Sequence, residues 1–246
     1  MAKLALPTVV AQLINMLYNI VDRIYIGHIP ETGALALTGV GVCLPIILIV
    51  SAFAALVGSG GAPRASIAMG RGDNRQAELI MGNCFTLQII ISVVLTVLIY
   101  LFCEPILLLF GASQNTVPYA VDYMKVYSLG TLFVQFSLGM NMFITTQGFA
   151  TISMVTIIVG AVSNIVLDPI FIYTFGMGVK GAALATIVSQ ALSAAWIISF
   201  LFGKKTTLHM RKENLRLQSS VVVPVITLGL AAFIMQSTES IISICF

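Results

Sequence analysis

The chain has 246 residues, 59% of them hydrophobic and 9% charged, with 12 Lys and Arg against 9 Asp and Glu for a net charge of +3. Soluble domains carry roughly 25% charged residues, so this composition excludes a soluble globular protein and points to a bilayer. Cys43, Cys84, Cys103 and Cys245 form no C-x-x-C pair and read as packing residues, while His28 and His209 lack a partner at metal-ligand spacing, so no zinc-type centre is expected.

Seven apolar stretches are long enough for spans of about 20 residues, at 7–27, 36–58, 79–102, 121–146, 152–174, 180–202 and 221–246. They predict an all-α, polytopic membrane helix bundle: a six-helix lobe over 1–203, a basic cytoplasmic loop over 204–219 and a seventh span over 220–246. The first run is too long and too polar for a signal peptide. Its Asn15, Tyr18, Asn19 and Asp22 recur every three to four residues, a stripe that must face protein or water. Arg23 adjoins Asp22 in sequence and so faces elsewhere, near enough to the outer boundary to snorkel; Asp22 needs another partner. Pro7 and Pro45 begin or kink their helices, and Gly58-Ser59-Gly60-Gly61 is expected to end the second span or let it bend. Residues 63–78 read as a cytoplasmic loop with a short amphipathic piece, 103–120 as the longest outer loop, and Asn141 as an amide deep in the fourth span.

In the fifth span, Asn164 and Asp168 lie four apart on one helical face, and Pro169 leaves the Ile165 carbonyl without its helical donor. An ionisable residue inside a span marks a functional site by default. The sixth span opens on Gly176-Met177-Gly178-Val179-Lys180-Gly181. This literal G-x-G-x-x-G joins two apolar helices with no acid about 20 residues on, so it reads as a tight outer turn and not as a dinucleotide site. Thr186 follows at a depth comparable with Asp168. In the seventh span, setting Pro224 against Pro7 aligns Glu239 with Asp22 and Gln236 with Asn19, a short internal repeat of the kind secondary transporters carry.

Lys3, Arg64, Arg71, Arg75, Lys204, Lys205, Arg211, Lys212 and Arg216 fall on one side of the predicted topology, against Arg23, Lys125 and Lys180 on the other. The excess places the N-terminus in the cytoplasm and makes 204–216 a solvated topology signal touching the inner leaflet, not a nucleic-acid patch. The spans hold no Ser/His or Cys/His constellation, so an enzyme is not expected.

Tyr18-Asn19-Ile20-Val21-Asp22 with Ile26-Gly27, Met69-Gly70-Arg71-Gly72-Asp73, Asn164 to Asp168, and Gly178-Val179-Lys180-Gly181-Ala182-Ala183-Leu184-Ala185-Thr186 together resemble the N-terminal half of a multidrug and toxic compound extrusion (MATE) transporter. The resemblance covers the whole chain. It implies a cation-coupled (H+ or Na+) antiporter that exports organic cations and drugs across the cell membrane, with no cofactor beyond the coupling ion. It implies a cation site of Asp22, Tyr18, Asn141, Asn164, Asp168 and Thr186, any Na+ binding at that same site, and a second-lobe acid at Glu239. Family members have twelve spans in two lobes. The resemblance therefore implies one lobe plus the first helix of the next, a missing C-terminal lobe as partner, and an inactive fragment when alone. The inner loop at Gln147-Gly148-Phe149 departs from the family in being uncharged. A lipid-linked oligosaccharide flippase of the same superfamily is the competing reading, and it would be expected to line its cavity with basic residues that these spans lack.

Overall fold

The computed structural model describes residues 2–203 and 205–245. Lys204 of the expected basic loop and Phe246 of the seventh span lie outside the described residues, as do the side chains of Lys3, Pro7 and Cys245. Backbone in hydrocarbon has to close its own hydrogen bonds, and every described element is helical. The elements are α1 (Ala2–Gly27), α2 (Gly33–Gly70), α3 (Asn74–Leu109), α4 (Val117–Leu129), α5 (Thr131–Gln135), α6 (Asn141–Thr146), α7 (Ala150–Pro169), α8 (Val179–Leu201) and α9 (Ser219–Cys245). π-helical turns stand at Phe136–Met140 and Ile170–Thr174, and a 3-10 turn at Lys212–Leu215. Five helices, α2, α3, α7 with its π turn, α8 and α9, are long and apolar enough to cross a membrane, and α4 with residues 131–146 adds a sixth, bent by 64°. α1 has the length, 26 residues, but interrupts its apolar run with Asn15, Asn19, Asp22 and Arg23.

Several boundaries differ from the sequence expectation, each for a packing reason. α2 runs for 38 residues, about 57 Å at 1.5 Å per residue, so residues 59–70 continue the helix and the inner turn shrinks to 71–73. Asp73 caps α3 by accepting the Gln76 N–H at 2.9 Å. α3 passes through Glu104 and Pro105 to Leu109, which shortens the outer loop to 110–116. The glycines at 58–61 neither end nor break α2. They admit neighbours instead: a Cβ on Gly58 would stand 3.0 Å from the Gly139 carbonyl oxygen, on Gly61 2.4 Å from the Cys84 sulfur, and on Gly60 2.0 Å from the Val225 oxygen of α9. The fourth span, expected unbroken, turns at Gly130, where a Cβ would lie 2.4 Å from Ile187 of α8. The Ser128 carbonyl freed there accepts the Thr96 and Thr131 hydroxyls at 2.9 and 2.8 Å. The glycine-rich turn before α8 is as expected, with Gly176 and Gly178 at φ +64° and +56°.

α9 lies along α2 for much of its length. A Cβ on Gly229 would stand 1.8 Å from the Leu56 oxygen, Phe53 meets Phe233 edge-on at 4.9 Å, and the Ser240 hydroxyl donates to the Pro45 carbonyl at 2.9 Å. The segment leading into α9, expected to be a solvated loop, is instead a strap docked on the bundle. Leu208 and Met210 are buried among the inner ends of α2, α3, α6 and α8. The Gln147 side-chain oxygen accepts from the Thr206 hydroxyl and the Thr207 and Leu208 N–H groups at 2.8, 2.9 and 3.0 Å. Buried Glu78 accepts from Arg211 Nε at 2.8 Å and from the His209 N–H at 3.1 Å, and Asn83 accepts the Gln218 N–H at 2.7 Å. An isolated basic segment would stay in water; this one has partners for its backbone.

Gly229→Ala is expected to destabilise the α2–α9 seam by about 1–3 kcal/mol, the range for overpacking, read as a lower thermal midpoint of the detergent-solubilised protein. Glu78→Ala is expected to speed tryptic cleavage after Arg211 by about tenfold through loss of a charge-assisted bond; an unchanged cleavage rate would mean that Glu78 does not hold the strap.

Candidate functional site

α1 sorts its side chains onto two faces. Val9, Leu13, Met16, Leu17, Ile20 and Ile24 are each more than half exposed, whereas Asn15, Tyr18 and Asp22 turn toward α7, on which α1 chiefly packs. Asn19 does not join them: it is exposed, and its amide donates to the Asn15 carbonyl of its own helix at 2.7 Å. On α7 the stripe Thr156, Gly160, Asn164 repeats every four residues, and on α8 Thr186, Ser189, Gln190 and Ser193 share a face. These two stripes, with Asn15 and Tyr18 of α1 and Ser137 of the first π turn, line a small cleft of about 50 Å³ inside the lobe. Its polar lining is internally bonded at several points. Ser137 hydrogen-bonds Gln190, the Ser193 hydroxyl donates to the Thr156 carbonyl at 3.0 Å, and Ser189 donates to the Ala185 carbonyl at 2.7 Å. Among the described residues, no Lys or Arg reaches the lining.

One turn beyond Asn164, Asp168 is fully buried. The Asn164 amide donates to Asp168 Oδ1 at 3.1 Å, and Asp22 meets Asp168 carboxyl to carboxyl within hydrogen-bonding reach. Three oxygens of these residues are buried without a hydrogen-bond partner: Asp22 Oδ1, Asn164 Oδ1 and Asp168 Oδ2. Two carboxylates in a water-poor pocket repel one another unless a proton is shared or a cation sits between them, and three hard oxygens are the ligand type of an alkali or alkaline-earth ion. Tyr18 stands beside both acids. The local backbone supports this geometry. Pro169 supplies no N–H, the chain widens into the π turn at Ile170–Thr174, and the Tyr173 hydroxyl donates to the Tyr25 carbonyl at 2.7 Å, tying the outer end of α1 to that turn.

The structure therefore brings together Asp22, Tyr18, Asn164 and Asp168, and Thr186 lines the cleft with Tyr18 and Asn164. Of the expected cation-site residues it leaves Asn141 apart, and the expected second-lobe acid Glu239 lies on α9. Asn141 donates to the Ser153 carbonyl at 3.3 Å, fifteen residues before Asp168 and so about 22 Å away along α7; Leu138 reaches the cleft from that span instead. Glu239 is exposed on α9, whose packing face carries Gly229, Phe233 and Ser240. Sequence reasoning missed Tyr123, buried on α4 within hydrogen-bonding reach of Thr186 and beside Asp22. It also missed Ser189, Gln190 and Ser193, whose helical spacing with Thr186 is a readable polar stripe in an apolar run.

A cysteine pair at positions 22 and 168, in a background with the native cysteines replaced by alanine, is expected to oxidise to a disulfide, and a pair at 141 and 168 is not. Equal cross-linking of both pairs would contradict the arrangement.

Known proteins share the sequence pattern and the fold of this chain. A family model described as MatE matches residues 7–170. The multidrug export protein MepA of Staphylococcus haemolyticus (strain JCSC1435) is 26% identical over 235 residues, 96% of this chain and 52% of that protein. MepA of Staphylococcus aureus (strain MSSA476) is 23% identical over the same coverage. Among solved structures, an inward-facing multidrug resistance MATE family transporter of the MOP superfamily superposes with a TM-score of 0.86 at 27% identity, over 96% of this chain and 55% of that one. A MOP superfamily transporter from Pyrococcus furiosus Vc1 (DSM3638) superposes with a TM-score of 0.90 at 27% identity, over 98% and 53%. These names are those of transporters, not enzymes, and the chain spans about half the length of the curated relatives it matches.

Proposed function

The chain belongs to the MatE family, and from that premise we propose that it is one lobe of a cation-coupled exporter of organic cations and drugs in the cytoplasmic membrane. The observation that carries the reading is the neighbouring pair Asp22 and Asp168, with a buried, unpartnered oxygen on each acid and on Asn164 beside them. H+ or Na+ is the coupling ion. Either one removes the repulsion between the two acids and draws α1 toward α7, and in doing so reshapes the cleft that these helices border with α8. α1 is suited to move. It packs chiefly on one neighbour and has an apolar face exposed to lipid, while the Tyr173–Tyr25 bond holds its outer end. Cargo export follows if the cleft binds cargo and ion with opposite preference for the two positions of α1, since a ligand drives a shift only through differential affinity. Alternating access needs two lobes, so a second lobe of like architecture is the required partner. An uncharged lining of amides, hydroxyls and a phenol suits an organic cation; a lipid-linked pyrophosphate would need the basic groups that the lining lacks. A cytoplasmic N-terminus is part of this reading, supported by the excess of basic residues in the 71–73 turn and the strap.

In cells expressing this lobe joined to a complete second lobe, Asp168→Asn is expected to lower dye efflux at least about tenfold, the scale of a lost coupling free energy. Efflux that follows a proton gradient without Na+, or the reverse, identifies the ion. Wild-type efflux from Asp168→Asn would remove Asp168 from the coupling role.

A further inference from the structure

The inner ends of α2 and α3 hold a second cleft, of about 320 Å³, apart from the one described above. Arg64, Ile67 and Ala68 of α2 with Arg71 at its C-cap form one wall, Gln76 and Ile80 of α3 the other. Spacings of three, four and seven put the α2 residues on one helical face, so the two guanidinium-bearing positions stand two turns apart, about 10 Å. Ile67 between them is 56% exposed, and Ala68 and Ile80 make a buried apolar floor. Among the described residues, the salt bridges join Arg211 and His209 to Glu78 and Lys180 to Asp122; none reaches Arg64 or Arg71. Arg64 Nε is buried with no hydrogen-bond partner. Asp73, the acid nearest in sequence to Arg71, accepts the Gln76 N–H at the start of α3.

A buried guanidinium N–H without an acceptor is unfavourable, and a cleft with two guanidinium groups, one amide and no carboxylate has donors in excess. The ligand chemistry that relieves it is an oxyanion, and phosphate matches the guanidinium fork best. The position narrows the source. The cleft sits where a long apolar helix leaves hydrocarbon, beside an exposed isoleucine, so a phosphate attached to acyl chains satisfies both the arginines and the apolar rim. We propose that the Arg64–Arg71 cleft binds the phosphate headgroup of an anionic phospholipid from the leaflet on the side of the 71–73 turn.

The test is native mass spectrometry of the purified protein with added phosphatidylglycerol, phosphatidylcholine or inorganic phosphate. Phosphatidylglycerol is expected to bind wild-type protein about 30-fold tighter than the Arg64→Gln/Arg71→Gln variant, about fivefold for each arginine, with phosphatidylcholine binding alike in both. Lys212→Gln, which removes a charge from the strap outside the cleft, is expected to bind as wild type does. A thermal midpoint in phosphatidylcholine nanodiscs equal to wild type shows the double variant to be folded; if it is lower, Arg71→Gln alone carries the comparison with a loss of about fivefold. Unchanged phosphatidylglycerol binding in the folded variant overturns the proposal. So does an equal loss in Lys212→Gln, which would make the effect one of general charge. Competition by inorganic phosphate at matching concentration would reassign the cleft to a free anion and overturn the lipid.

Discussion

Two carboxyl groups facing each other in a helix bundle are a standing electrostatic conflict, and the upper half of this lobe is built around keeping it in place. Asp22 comes from α1, whose main neighbour is α7, the helix that carries Asp168. Their approach is fixed from three sides. Asn164 holds one Asp168 oxygen, the π turn after Pro169 carries Tyr173 across to the α1 backbone, and Gly181 lets the start of α8 close on the Phe171 backbone, where a Cβ would stand 2.7 Å away. π turns are rare and gather at functional positions. Here one stands directly beside the buried acid.

Below the acids, the lobe depends on α2, which takes its neighbours at close range because glycine occurs where each one crosses. Gly58 meets the π turn at 136–140, Gly60 meets α9, and Gly61 meets α3 and α6. In lipid the hydrophobic effect does not draw helices together, so backbone proximity and van der Waals contact have to do it. The same glycines that look like helix breakers in sequence are, in this setting, the contact surfaces of the longest helix in the chain.

How far the sequence revealed the site follows from this. Asp22, Asn164 and Asp168 were legible because an acid or amide in an apolar run is conspicuous, and four-residue spacing alone fixes a common face. Asn141 was equally conspicuous but points elsewhere. It directly follows the π turn Phe136–Met140, whose extra residue rotates everything after it around the helix axis, and nothing in the composition of that turn signals it. Glu239 aligned with Asp22, yet α9 rests on α2 through another face, and the alignment of residue types carried no information about which face packs. The loop boundaries were placed too early for a related reason. Gly and Pro disfavour a helix in water and Glu interrupts an apolar run, but here neighbouring helices occupy the gaps and the backbone continues through them. The strap was the least legible part, since its side-chain and backbone bonds to Gln147, Glu78 and Asn83 are all long-range and a run of basic residues reads the same whether docked or free.

That strap changes how the moving parts should be counted. Pinned at three points on the bundle and followed by a helix lying against α2, it removes the freedom a linker would give, so α9 is tied to the helices before it as one packed body. Amide exchange in α9 would then follow that of α2 and not that of a separate unit.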